Sequence, residues 1–118
     1  MFLSSGKLVK NPQLIIRYVE ELRNRGLNPL TIVPGHEELE MVERAAKERI
    51  CVLKIVEELI EHFKNRIVGV LAKNIVKEVL KEEVDEETAA YLIAKELAAW
   101  VLEIAESLNI VKIGGDIR

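Results

Sequence analysis

Apolar side chains recur every three or four residues over most of the chain, the spacing that gathers them on one side of an α-helix. Leu14, Ile15, Tyr18, Val19 and Leu22 form the first such stripe. Asn11 and Pro12 precede it as an N-cap and a first-turn proline, and Gly26 follows it as a residue suited to the left-handed backbone that closes a helix. The pattern therefore predicts a helix over 12–25. Arg17, Glu21 and Arg25 fall on its outer ridge as i,i+4 partners.

Residues 27–35 set Pro29 and Pro34 around an apolar, β-branched middle, which predicts an extended segment near 29–33, a linker or a short edge strand. From His36 onward Leu39, Val42, Ala46, Ile50, Leu53, Val56, Ile60 and Phe63 keep the helical step. They predict one long second helix of about 25 to 28 residues, roughly 40 Å from end to end. The run Ile50-Cys51-Val52 is where a strand or kink would interrupt it.

Asn65 offers a break, after which Val68, Leu71, Ala72, Ile75, Val79 and Leu80 predict a third helix over 66–82. Gly69 inside it marks a bend or a close helix crossing. Asp85 then stands as a cap with Glu86 and Glu87 in the first turn, and the fourth helix is expected over 86–107. Ile110 to Ile113 reads as a short strand that would pair with Leu30 to Val33. Residues 1–10 and 114–118 read as flexible ends. The expectation is a single all-α domain over 1–118, a four-helix bundle with a short extended segment and a strand-like tail.

The fourth helix is apolar around most of its circumference, and such a helix must be covered on nearly every side. Either the rest of the chain covers it or a second subunit does. Ala90, Ala94, Ala98 and Ala105 form a small-residue stripe, and Leu97, Trp100 and Val101 supply large anchors. These seven residues are the expected interface of a homo-oligomer or of a complex with a protein partner. The function expected is that of a non-enzymatic helical interaction module, or a small subunit of a larger assembly.

Charge changes this picture only locally. The net charge of -3 offers no protein-wide attraction to nucleic acid or anionic lipid. Residues 1–35 nevertheless sum to +3, while 84–107 sum to -5. Lys7, Lys10, Arg17, Arg23 and Arg25 are thus the candidate contacts for the alternative function, an accessory protein that binds nucleic acid through a basic N-terminal face. The order helix, turn, helix, strand from Val68 to Ile113 loosely resembles a winged-helix arrangement, but its last helix carries the charge that repels phosphate.

Only two of the 20 acidic residues are aspartates, Asp85 and Asp116, and Gln13 is the sole glutamine, a composition that resembles hyperthermophile proteins and predicts thermostability. A lone cysteine and the lack of a leader pattern predict a cytoplasmic protein. Thr88 to Ile104, the most apolar stretch, is interrupted by Lys95, Glu96 and Glu103, and no membrane span is expected.

Candidate chemistry is sparse. His36, Cys51 and His62 lie far apart in sequence, and Glu58 with His62 share a helix face at an offset that does not match the Glu-x-x-His of di-metal bundles. No metal, cofactor or catalytic residue is expected, and Cys51 is assigned to the core. Val111-Lys-Ile-Gly-Gly-Asp116 resembles the first-strand signature of the amino-acid kinase family, and Gly26 to Gly35 resembles that family's second strand. The resemblance implies phosphate contacts at Lys112, Gly114 and Gly115 and a substrate contact at Gly35. The two pieces stand in reversed order, and Asp116 replaces the hydroxyl residue of the signature.

Overall fold

A computed structural model describes residues 8–111 as five α-helices with no strand among them. They are α1 (Pro12–Asn24), α2 (His36–Lys47), α3 (Val52–Lys64), α4 (Gly69–Leu80) and α5 (Glu86–Ser107), with a single 3-10 turn over Pro29–Thr31. The all-α expectation holds, while the count differs because the long second helix is two helices.

The break falls at Arg49. Its φ of 57° is left-handed, Arg49 N–H donates to the Ala46 carbonyl, and Ile50 N–H reaches back to that of Ala45 at 2.9 Å. This is a Schellman closure, in which the αL residue turns the chain while the next apolar residue folds onto the helix it ends. Two other helices end the same way. Gly26 and Asn109 hold the αL position after α1 and α5, and Leu27 and Ile110 donate to Leu22 and Ala105. Glycine tolerates that backbone because it lacks a Cβ, and asparagine because its short polar side chain can hydrogen-bond locally; arginine, with neither advantage, carries a cost of about 1 to 2 kcal/mol there.

The break resets the helical phase. In a continuous helix Leu53 belongs to the inner stripe, but in α3 it is 72% exposed, and Ile55, Leu59, Ile60 and Phe63 face the core. Cys51, assigned to the core from its apolar neighbours, is exposed at the N-cap of α3 because the corner lies at the surface.

The expected extended segment is also corrected. Asn28 accepts the Leu30 N–H on its side chain and the Thr31 N–H on its carbonyl, and Ile32 N–H donates to Pro29. These local bonds consume the donors a strand would offer to a neighbour. Ile110 N–H is spent on closing α5, so the small sheet pairing Leu30–Val33 with Ile110 and Val111 does not form among the described residues. The remainder of the strand-like tail lies outside them.

α5 is the axis of the fold. Each of α1, α2, α3 and α4 packs against it, α3 and α4 most extensively, and α1 also packs on α4. Ala89, Ile93, Ala94, Leu97, Ala98, Val101 and Ala105 are fully buried along its length. The alanines are what let four helices reach one axis closely enough to exclude water.

The head of α5 is set by its cap, Asp85, whose side chain accepts the Thr88 N–H at 2.8 Å. Interaction with the Thr88 side chain and with its backbone N–H holds the Asp85 carboxyl below its ordinary range. Gly69, at the start of α4, lies where an added Cβ would come within 3.0 Å of the Glu86 side chain, so the glycine marks a close crossing of α4 and α5.

Two carboxylates of α5 fasten the N-terminal arm. Glu103 Oε2 accepts the N–H groups of Leu8 and Val9 at 2.6 and 2.7 Å, and Glu96 Oε1 accepts those of Lys10 and Asn11. Residues 8–10 are therefore tied to α5, and the rest of the expected flexible end, 1–7, lies outside the described residues. Asn11 occupies the N-cap position of α1, but its side chain makes no capping bond. Tyr18, fully buried, accepts the Val68 N–H on its phenol oxygen at 2.8 Å, and burial pushes its hydroxyl up from the ordinary value.

Candidate functional site

The chain turns back at Arg49, so the first turn of α2 lies beside the last turn of α3. In one uninterrupted helix, Glu38 and His62 would stand roughly 36 Å apart along the axis. Here His62 Nε2 lies 2.7 Å from Glu38 Oε2. Arg66, in the turn before α4, completes the group: its Nη1 approaches both Glu38 Oε2, at 3.4 Å, and His62 Nε2, and its Nη2 lies 3.7 Å from Glu37 Oε1.

Glu38 is the one buried charged residue among those described, 6% exposed. A buried carboxylate needs its oxygens satisfied, and both are. Oε1 accepts the Gly35 N–H at 2.7 Å, the return half of a capping box at the head of α2, and Oε2 faces His62 and Arg66. Burial by itself would raise the Glu38 carboxyl; the hydrogen bonds from His62 and Gly35 outweigh it and hold the group below its ordinary value.

The cluster forms one wall of an open cleft of about 580 Å³ lined by Leu30, Thr31, Val33, Gly35, His36, Glu37, Glu38 and Arg66. Leu30 stands at its edge, 72% exposed. His36, the other histidine, is open to solvent and pairs with Glu40 at 3.0 Å. Glu37, Glu38 and His62 each present one donor atom, all within 4.8 Å of one another.

Sequence reasoning missed this group because it placed Glu38 and His62 at opposite ends of one helix and looked for His62 partners one turn away. The signal lay in the Ile50-Cys51-Val52 run, read as a possible kink, which if taken as a corner would have made an αα-hairpin with its two open ends together.

The residues expected at an intersubunit face sit elsewhere. Ala90, Ala94, Leu97, Ala98, Trp100, Val101 and Ala105 are all buried by the chain's own helices, Trp100 being the most accessible of them. A patch already covered within one chain offers no surface to a second, so the stripe is corrected from an interface to the core that the other helices share.

The basic residues are dispersed. Lys7 lies outside the described residues, and Lys10 and Arg23 are exposed. Arg17 is held by Glu78 at 2.6 Å and by Glu20, which push its guanidinium pKa above the ordinary value, and Arg25 pairs with Glu21 at 3.2 Å. A phosphate would have to compete with these carboxylates for two of the five expected contacts. Of the residues implied by the kinase resemblance, Gly35 lies on the cleft, and Lys112, Gly114 and Gly115 fall outside the described residues.

Among the described residues no helix is long and apolar enough to cross a membrane. No known protein family matches the chain, and neither a curated protein nor a solved structure is found to be similar to it.

Proposed function

We propose that the chain is a non-enzymatic helical interaction module that docks on a protein partner, in the simplest case a second copy of itself, through the cleft face between the 27–35 linker and the head of α2. The observation that carries this reading is Leu30, 72% exposed at the edge of a concave surface. Leu27, on the same linker, is also exposed. A large aliphatic side chain held out by a capped turn beside a recess of mixed lining, with Val33 on one side and His36, Glu37, Glu38 and Arg66 on the other, fits the pattern of an association surface in which an apolar anchor is bordered by charged groups. The buried carboxylate and its partners fix the recess, because Glu38 ties the linker at Gly35 to α3 at His62.

The reading keeps the role expected from sequence and moves it from α5 to the linker face. Size exclusion coupled to light scattering, at low and high salt, measures it against the 13.4 kDa monomer. The expected outcome is a salt-resistant dimer or larger species that Leu30→Glu converts to monomer while the helical circular dichroism signal is retained. A wild-type monomer at every concentration, or an oligomer indifferent to Leu30→Glu, overturns it.

A further inference from the structure

The cleft wall holds an arrangement that protein–protein docking does not explain. His62 Nε2 carries either one hydrogen or one lone pair. If it donates to Glu38 Oε2, the neighbouring Arg66 N–H meets an N–H. If it accepts from Arg66, its lone pair faces the Glu38 carboxylate. The two contacts, to Glu38 at 2.7 Å and to Arg66, exclude one another at this single atom. A metal ion removes the conflict: it takes the lone pair of Nε2 and carries positive charge against both carboxylates, where the guanidinium now stands.

We propose that Glu37, Glu38 and His62 form a binding site for a divalent ion of the zinc class, with Arg66 as the internal cation that the metal displaces. One imidazole nitrogen and two carboxylate oxygens are a donor set that zinc accepts, at about 2.0 to 2.2 Å from each. Donors arranged tetrahedrally around such an ion lie about 3.4 Å apart, and the three here lie within 4.8 Å. The exposed Glu37 has the freedom to close the difference. Glu38 is oriented by the Gly35 N–H on its other oxygen, the outer-shell support that ligating carboxylates use. Arg66, exposed in a turn, can swing into solvent, and the cleft leaves the remaining coordination positions open to water. This inference stands apart from the docking role, since Leu30 supplies no ligand.

Calorimetric titration of the full chain with Zn²⁺, and the visible spectrum on titration with Co²⁺, test the site. The expected result is saturable one-to-one binding that weakens by about tenfold or more in His62→Gln and weakens also in Glu37→Gln, whose exposed side chain can change without endangering the fold. Arg66→Gln should bind more tightly than the wild type, because a competing cation is gone; a purely structural ion pair predicts no gain. His36→Gln should leave binding unchanged. The proposal is overturned if neither the wild type nor Arg66→Gln binds saturably, if Glu37→Gln and His62→Gln bind like the wild type, or if His36→Gln alone abolishes binding.

Discussion

Glu38 joins three parts of the fold through a single buried carboxylate. One oxygen caps α2 through Gly35, and the other joins α2 to α3 and to the turn before α4. Its carboxyl titrates below the ordinary value in the folded chain, so the folded state holds the proton less tightly than the unfolded state does. The stability it contributes is then fully present above the unfolded value near 4.5, and is lost as pH falls through the lower folded value. Replacing Glu38 by Gln should cost about 1 to 3 kcal/mol near pH 6, the range for orphaning a buried hydrogen-bond partner. The gap between wild type and variant in thermal melts should narrow as pH is lowered from 5.5 to 3. A gap that is constant or widens over that range would show that the carboxylate's charge is not what stabilises the contact. The importance of this residue was not legible beforehand, because at the head of an amphipathic helix a Glu reads as one more solvated acid.

At the scale of elements, helix closure decides the architecture. Gly26 was readable as an αL terminus since glycine bears that backbone without a steric cost. Arg49 was not, for arginine is a good helix former and favours continuing the helix. What overrides its preference is burial: stopping at Lys47 lets α3 turn back and seat Ile55, Leu59 and Phe63 in the core. Arg49 therefore sits in a conformation that costs free energy locally and is repaid by packing elsewhere. Arg49→Gly should stabilise the protein by about 0.5 to 1 kcal/mol, seen as a higher melting temperature, because glycine relieves the αL strain. If α2 and α3 formed one continuous helix in solution, the same substitution in its middle would instead destabilise by about 1 kcal/mol. The sign of the shift distinguishes the two.

For the whole molecule, the deciding feature is that the most apolar helix is central. Four shorter helices surround α5, and its alanines set how closely they approach. Ala94 and Ala98 are both inaccessible to solvent, so a larger side chain at either must be accommodated inside the core. Ala94→Leu should lower stability by about 1 to 3 kcal/mol, the usual cost of overpacking. For a domain of roughly 100 residues each kcal/mol corresponds to a drop of about 4 to 8 °C in melting temperature. The variant should melt earlier without any change in the mass measured by light scattering; a change of mass at unchanged melting temperature would return the stripe to an intersubunit role.

The sequence by itself determined the helical class, the extents of α1 and α5 to within a residue, the Asp85 and Gly26 signals, and the need to cover the last helix on all sides. These are local properties: a 3.6-residue period, a capping side chain and a residue permissive of positive φ act over one or two turns and can be read from neighbours. The tertiary structure alone decided where the second helix breaks, which carboxylates face histidine rather than water, and whether the alanine stripe meets a second subunit or the chain's own helices. Each of these turns on contacts between residues tens of positions apart. Their free energy exists only once the Arg49 corner has brought Glu38 to His62 and the helices have closed around α5.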